Sequence, residues 1–175
     1  MVQRSNYYIR EATTEDLKHT DTVVQVVNEA YHSGGGWTTV KHIVDGLRTN
    51  NEEIEGLVLK NGTSHVLLYA FDGDTVVGTV LIKQVDEKGE ADFSLLSVAP
   101  AYQSKGVGGQ LIRQMFDRMK NMGATAAVLE VLDNRTELIA WYKKLGFTEE
   151  KTVDFNWRDA VKVPNVRSLI MKKVI

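Results

Sequence analysis

The sequence predicts an α+β fold in which one domain spans residues 1–175. Three observations predict it: a run of three hairpin-like strands in the middle of the chain, a strand–helix–strand unit directly after it, and two further strands at the end. With 175 residues, 43% of them hydrophobic, the chain is long enough for one core of ordinary size.

The first third of the chain predicts one strand and two helices. Residues 7–12 read as a short strand, and Thr13 precedes a second threonine and two acidic residues, a pattern typical of a helix start. Apolar residues then recur at helical spacing as far as Tyr31. After a run of glycines, Thr39 is predicted to cap a second helix that continues irregularly toward Leu57.

The middle of the chain predicts an antiparallel meander. Strands 66–71 and 75–85 flank Asp72-Gly73-Asp74, which is a tight hairpin signal. A third strand over 91–98 ends before Pro100, which cannot donate a hydrogen bond to a neighbouring strand.

A crossover to a parallel strand follows the meander. Apolar residues after the segment 103–109 form a helical stripe, and Gly123 stands where a helix C-terminal glycine is expected. Residues 125–132 are nearly all apolar, which predicts a buried strand parallel to 91–98.

One helix and two strands complete the predicted fold. Asn134, with Glu137 three residues later, predicts the capped start of a helix that ends at Gly146. The segments 147–157 and 166–174 are predicted as the last two strands.

Composition and charge argue against several function classes. The formal net charge is −2 and both signs are spread along the chain, so we expect neither a nucleic-acid partner nor a membrane partner. The chain has no cysteine, and its four histidines lack metal-ligand spacing, so we expect no metal site. No apolar run suggests a signal peptide or a membrane span, which predicts a cytoplasmic or nuclear protein.

A glycine-rich turn, Gln103-Ser104-Lys105-Gly106-Val107-Gly108-Gly109, joins a predicted strand to a predicted helix. The first amides of a helix are unpaired and its dipole favours negative charge, so glycines there let an anion reach the backbone. A dinucleotide fingerprint needs a third glycine where Leu111 stands, and a nucleotide P-loop needs Gly-Lys-Ser/Thr in place of Gly108-Gly109-Gln110. An ordinary tight turn with a helix cap is the alternative to an anion site.

Two segments resemble the GNAT superfamily of acetyl-CoA-dependent N-acetyltransferases. The stretch from Val98 to Gly108 is similar to its pyrophosphate-binding signature, Gln/Arg-x-x-Gly-x-Gly/Ala, and residues 134–147 are similar to its helix ending in Tyr-x-Lys-x-Gly-Phe. The resemblance implies a mixed, mainly antiparallel sheet of about seven strands flanked by about four helices. In that fold the central parallel strands, 91–98 and 125–132, splay apart and form a cleft for acetyl-CoA.

The resemblance also implies which residues contact acetyl-CoA. The backbone of the third meander strand takes the pantetheine arm, and the glycine turn takes the pyrophosphate. These residues are Leu96, Ser97, Val98, Gln103, Ser104, Lys105, Gly106, Val107, Gly108 and Gly109. Relatives often have a cofactor-contacting asparagine seven places before the helix tyrosine; here Arg135 takes that place and Asn134 precedes it. Asn134 is alternatively a helix cap, and Arg135 is alternatively a surface residue.

Two residues are candidates for proton transfer. By resemblance, Tyr142 is the acid that protonates the departing thiolate; packing in the core at helical spacing is its alternative role. Asp92 takes the position of the glutamate base in the histone-acetylating branch, counted back from Gly106, although a solvated strand end explains it equally well.

The acceptor side is expected to come from the first two helices. The candidates are Tyr31, Trp37, Thr38 and Arg48, because Gly-Trp-Thr-Thr with a later Gly-Leu-Arg-Thr resembles a little-characterised microbial and fungal GNAT branch. A small primary amine is the favoured acceptor and a protein or peptide the alternative. A catalytically weak acyl-CoA sensor is the rival function. The resemblance also implies a possible homodimer.

Overall fold

The computed structural model describes residues 7–32, 47–154 and 165–175. Two short 3₁₀ turns, at Thr14–His19 and Pro100–Tyr102, accompany seven strands and four helices in this part of the chain. In chain order these are β1 (Tyr8–Glu11), α1 (Thr20–His32), α2 (Asn51–Leu59), β2 (His65–Asp72), β3 (Thr75–Lys83), β4 (Glu90–Val98), α3 (Val107–Asn121), β5 (Ala126–Leu132), α4 (Thr136–Lys144), β6 (Thr148–Val153) and β7 (Ser168–Val174).

The seven strands form one mixed sheet in the order β1-β2-β3-β4-β5-β7-β6. All neighbouring strands are antiparallel except β4 and β5, which are parallel. The α+β fold, the antiparallel meander and the central parallel pair are therefore confirmed.

The parallel pair separates almost at once. The register joins β4 to β5 only at Glu90 with Ala126, Ala91 with Ala127 and Asp92 with Val128. Beyond Asp92 the two strands diverge, so a cleft opens in the middle of the sheet as the resemblance implies.

The helices cover both faces of the sheet. Alternate residues of β2 belong to different core clusters because successive side chains of a strand point to opposite faces. Leu68 packs with α3 and with the α4 residue Tyr142 in the first cluster, whereas Leu67 packs with α1 and α2 in the second.

One glycine allows α3 to approach the sheet beside the cleft. A Cβ atom on Gly78 of β3 would lie 2.9 Å from Leu111 Cδ1 of α3 and 3.1 Å from the Ser97 carbonyl oxygen. Any side chain here would force α3 or β4 to move, so Gly78 fixes the position of the helix that follows the glycine turn.

The second predicted helix does not run without a break toward Leu57. The structure places its start at Asn51, where the Asn50 side chain accepts a hydrogen bond from the Glu53 amide at 2.9 Å. Residues 47–50 are not helical, and the predicted cap Thr39 lies outside the described residues. Asparagine is a strong N-cap, so it starts the helix here.

The predicted cap of α4 is wrong by one residue. Arg135 occupies the N-cap position, no side chain caps the helix, and Asn134 is exposed. The Arg135 amide donates instead to the Leu132 carbonyl at 3.0 Å, which makes a turn before the helix. Asn134 therefore lies one residue too early to cap the first turn.

Candidate active site

The open edge of β4 presents backbone groups to the cleft. The Ala99 amide donates to the Val77 carbonyl of β3 at 2.8 Å, and Ser97 pairs with Thr79. Because backbone groups alternate in direction along an antiparallel strand, those of Leu96 and Val98 point away from β3. They lie on the side from which β5 has separated, as expected for a strand that binds an extended ligand.

A β-bulge in β4 sets the direction of these groups. Thr79 pairs with Ser97 but Leu81 pairs with Ser94, so one residue of β3, Val80, faces two of β4, Leu95 and Leu96. Leu95 has a φ of 52°, in the left-handed region that costs a leucine roughly 1–2 kcal/mol. Consequently Phe93 packs in the first core cluster while Leu95, two residues later, packs in the second.

At the start of α3, the glycine turn has backbone amides that no glycine side chain covers. Gly106 is the N-cap, with a φ of 89°, and the first helical hydrogen bond runs from the Gln110 amide to its carbonyl at 3.1 Å. The amides of residues 107–109 are thus without an intrahelical partner. A Cβ on Gly106 would meet nothing within 4 Å, and one on Gly108 would meet only Val98 Cγ2 at 3.8 Å.

Side chains anchor this turn to the neighbouring hairpin. The Tyr102 hydroxyl donates to Asp72 Oδ2 at 2.9 Å, and its ring meets Tyr7 edge-on at a centroid distance of 6.1 Å. Lys105 Nζ lies 5.6 Å from the Tyr102 ring centre, and Ser104 is exposed. The turn is therefore held in place from one side and open on the other.

The Gln103 side chain stabilises the glycine turn through a hydrogen bond to the end of β4. Its side-chain amide donates to the Val98 carbonyl at 3.0 Å, which closes the end of β4 onto the turn. This internal bond explains why a glutamine stands at that position. A contact with a bound phosphate stays a prediction for Gln103.

Tyr142 lies where β4 and β5 begin to separate. Its ring centroid is 6.2 Å from that of Phe93, which directly follows the last β4 residue paired with β5. It also contacts Phe147 and Trp141 at centroid distances of 5.6 and 5.0 Å. Burial raises the pKa of the Tyr142 phenol, so the group is protonated at neutral pH. The ring therefore packs in the first core cluster, and the role of the phenol as an acid stays a prediction.

Asp92 is the last β4 residue paired with β5. Its side chain is 54% exposed, and its carboxylate lies 4.0 Å from Lys83 Nζ. Burial of part of the group raises the pKa of Asp92, nearby acidic groups including Glu130 raise it further, and Lys83 opposes them. A carboxylate with a raised pKa is a stronger base than an ordinary aspartate.

Arg135 is not a surface residue, and that alternative is wrong. It is 4% exposed at the N-terminus of α4, and burial lowers the pKa of its guanidinium. Its charge acts on the hydroxyls of Tyr31 and Tyr142. The structure therefore brings Arg135 toward Tyr31 of α1 and Tyr142 of α4, whereas Asn134 remains exposed.

Two of the four predicted acceptor residues lie together. The Arg48 guanidinium sits 5.6 Å from the ring centre of Tyr31, and its Nη1 lies 3.9 Å from Glu53 Oε1. Asn28 of α1 accepts hydrogen bonds from the Arg48 and Thr49 amides at 2.9 and 3.0 Å, which ties this segment to α1. Trp37 and Thr38 lie outside the described residues.

The described residues contain no group of three or more potential metal ligands. In the same part of the chain, no helix is long and apolar enough to cross a membrane.

Comparison with known sequences identifies a family and several relatives. The model of the acetyltransferase (GNAT) family matches residues 28–147. Mycothiol acetyltransferase from Corynebacterium efficiens is 34% identical over 82 residues, which are 47% of this chain and 27% of that protein. The [ribosomal protein bS18]-alanine N-acetyltransferase from Escherichia coli K12 is 35% identical over 60 residues, 34% of this chain and 40% of that protein. The chain thus spans less than half the length of these curated relatives.

Solved structures share the fold over nearly the whole chain. The ribosomal-protein-alanine N-acetyltransferase from Brucella melitensis has a TM-score of 0.73 at 20% identity, covering 96% of this chain and 99% of its own. A protein from Salmonella typhimurium, solved with its cofactor acetyl-CoA, has a TM-score of 0.71 at 18% identity, covering 96% and 93%. At these identities the similarity shows the fold.

Gly108→Val tests whether the turn holds an anionic ligand. Because Gly108 is helical and its Cβ position is open, the chain tolerates the side chain, which instead covers the free amides. We expect calorimetry to show acetyl-CoA affinity reduced more than about ten-fold, a loss of about 1.4 kcal/mol, with unchanged melting temperature.

Gly56→Val is the matched control, since Gly56 is also helical and a Cβ there meets nothing within 4 Å. It is expected to bind acetyl-CoA as the wild type does. Equal affinity in the two variants would contradict the assignment of the turn.

Proposed function

Because the chain belongs to the GNAT family of acetyltransferases, we propose that it transfers an acetyl group from acetyl-CoA to a primary amine in a ternary complex. The observation that carries the proposal is the separation of β4 from β5 after three residue pairs, directly beside a glycine turn with free helix amides. An extended arm with a diphosphate at one end matches this pairing of an open strand edge with an anion site.

The chain's own groups fit acetyl-CoA. The Leu96 backbone and the Val98 N–H offer hydrogen bonds to the amide-bearing arm, whereas the Val98 carbonyl already accepts one from Gln103. The amides of residues 107–109 offer donors to the pyrophosphate, and Ser104 and Lys105 are exposed beside them. When bound, acetyl-CoA supplies an activated thioester carbonyl that a neutral amine attacks.

Tyr142 is proposed as the proton donor to the departing sulfur. The phenol lies beside Phe93 at the start of the cleft and stays protonated because burial raises its pKa. A developing thiolate is basic enough to take that proton. The same ring packs in the first core cluster, so a phenylalanine would keep the packing and lose only the donor.

Tyr142→Phe is expected to lower turnover about a hundred-fold or more, the usual contribution of a positioned general acid. The dissociation constant for acetyl-CoA and the melting temperature should change little, because the aromatic contacts remain. Steady-state kinetics and calorimetry together make the measurement, and wild-type turnover in this variant would exclude the role.

Asp92 is proposed as the group that accepts the amine proton. It stands at the last paired position before the strands diverge, and a raised pKa makes its carboxylate a stronger base than that of an ordinary aspartate. Its half-exposed side chain also permits transfer through a water molecule.

Asp92→Asn tests this role through pH dependence. Loss of the base makes the rate follow the fraction of neutral amine, so turnover should fall roughly ten-fold or more at neutral pH and recover as pH rises toward the pKa of the amine. Glu55→Gln, which removes an exposed carboxylate on α2, serves as the control. Profiles that run parallel for wild type and Asp92→Asn would rule the base out.

The acceptor is proposed to be a small primary amine bound between α1 and the segment before α2. Tyr31 and Arg48 form the described part of this surface, and Trp37 and Thr38 are proposed to complete it. Arg48 suits an acceptor that carries a carboxylate, which a guanidinium binds with paired hydrogen bonds. Similarity to a mycothiol acetyltransferase supports a small-molecule acceptor.

A protein or peptide N-terminus is the second candidate acceptor. Similarity to a [ribosomal protein bS18]-alanine N-acetyltransferase favours it. A weak acyl-CoA sensor is the third possibility, and it would bind acetyl-CoA without amine-dependent release of CoA.

A thiol-release assay with acetyl-CoA separates these functions. The panel contains simple amines, amino acids with free and amidated carboxylates, and peptides with N-terminal alanine. Release with a small amine supports the proposal, release with peptides alone supports the second candidate, and binding without release supports the sensor. Absence of acetyl-CoA binding would exclude all three.

A further inference from the structure

A single buried hydroxyl holds the bulge of β4. Thr79 of β3 is 1% exposed, and its Oγ1 donates a hydrogen bond of 2.6 Å to the Leu95 carbonyl. Leu95 is the bulged residue with positive φ, and its side chain is fixed in the second core cluster. The carbonyl of the bulge is therefore bound by a side chain.

This bond sets the direction of the next amide. The Leu95 carbonyl and the Leu96 N–H belong to one peptide unit, and the described chain has no cis peptide bonds. In a trans peptide these two groups point in opposite directions. With the carbonyl held by Thr79, the Leu96 N–H is directed away from Thr79, on the open side of β4.

Of two neighbouring buried hydroxyls, only that of Thr79 forms a hydrogen bond with the Leu95 carbonyl. Thr79 pairs with Ser97, and both residues are buried. Ser97 Oγ has no hydrogen-bond partner among the described residues, whereas Thr79 Oγ1 reaches the bulge. A second buried hydroxyl on the paired residue thus makes no hydrogen bond to Leu95, so burial alone does not account for the Thr79 bond.

We propose that Thr79 is a positioning residue: its hydroxyl fixes the peptide between Leu95 and Leu96 so that the Leu96 N–H donates to the thioester carbonyl oxygen of acetyl-CoA. This inference rests on the proposed function. A donor aimed at the oxygen that becomes negative stabilises the transition state more than the bound substrate. Thr79 itself touches no substrate and acts only through the backbone.

Isotope-edited infrared spectroscopy of bound acetyl-CoA, labelled with ¹³C at the acetyl carbonyl, tests the proposal without an acceptor. A hydrogen bond to the carbonyl oxygen lowers its stretching frequency. The wild-type complex should show a lower frequency than free acetyl-CoA. Thr79→Val replaces the hydroxyl by a methyl group, and its bound band should return toward the free value.

A second pair of variants, Thr79→Ser and Thr79→Ala, tests whether the hydroxyl alone restores the carbonyl shift. Thr79→Ser keeps the hydroxyl and should keep the wild-type band, whereas Thr79→Ala differs from it only by that hydroxyl and should lose the shift. This second pair remains informative if valine disrupts the fold. Thr20→Val is the matched control, because it removes another buried hydroxyl bond, Thr20 Oγ1 to the Leu17 carbonyl at 2.8 Å, in the turn before α1.

Turnover provides an independent measurement. With an acceptor from the amine panel and saturating acetyl-CoA, Thr79→Val should lose about ten-fold in kcat, less than the hundred-fold or more that removing an oxyanion donor costs. The dissociation constant of CoA, which has no acetyl carbonyl, should stay within about two-fold, a change below 0.5 kcal/mol. Thr79→Ser and Thr20→Val should retain wild-type kcat.

The outcomes are separable. A wild-type protein that does not bind acetyl-CoA overturns the proposed function, and this inference with it. Binding with the same carbonyl band in wild type, Thr79→Val and Thr79→Ala overturns the inference alone. If both hydroxyl-free variants unfold while Thr79→Ser folds, the hydroxyl serves the fold and the positioning role is rejected.

Discussion

The structure depends on the point at which β4 leaves β5. The two strands are paired at three positions, and the bulge at Leu95 then turns β4 so that its backbone groups serve an open edge. Leu96 and Val98 on this edge are half-buried, so a ligand that lies along β4 can reach their backbone groups. The separation thus creates the cleft and an edge along which an extended ligand can bind.

Other elements take their positions from this opening. Gly78 lets α3 lie close to β3, which places the free amides of the glycine turn at the end of β4. On the far side, α4 brings Tyr142 against Phe93, at the last point where β4 and β5 are still near each other. The glycine turn and Tyr142 therefore lie toward opposite ends of β4.

The acceptor side is defined by charge and burial. Arg135 is buried and its charge acts on Tyr31 and Tyr142, although it is outside the glycine turn. A buried cation must be stabilised by its surroundings, so its place at the N-terminus of α4 is specified by the fold. The contact of Arg135 with a phosphate stays a prediction.

Periodicity predicted most of the fold because its elements are regular. The meander, the glycine turn and the helix with Tyr142 were all predictable from alternation, helical spacing and punctuating glycines. The bulge was not, because Leu95 is an ordinary strand residue whose positive φ arises from tertiary contacts. The sequence indicates the importance of Thr79 only weakly, through a hydroxyl among the apolar residues of the strand. Local propensity does not reveal that this hydroxyl binds the Leu95 carbonyl.

Helix boundaries failed where two capping residues competed. Asn134 matched a capping pattern, yet Arg135 takes the N-cap position of α4, and Asn50 starts a helix within the segment that was predicted to continue from Thr39. The choice depends on where the preceding chain makes its turn, which is a tertiary property. Arg135 looked like a surface residue because long charged side chains usually are, and only packing shows its burial.

The most direct test of the account is amide hydrogen exchange, resolved by NMR, with and without acetyl-CoA. Binding of acetyl-CoA is expected to slow exchange at the amides of Leu96 and Val98 on β4 and at residues 107–109 in the glycine turn, with little change on β1, β2 and α2. Unchanged exchange along β4 and the turn, or protection confined to another surface, would contradict the account.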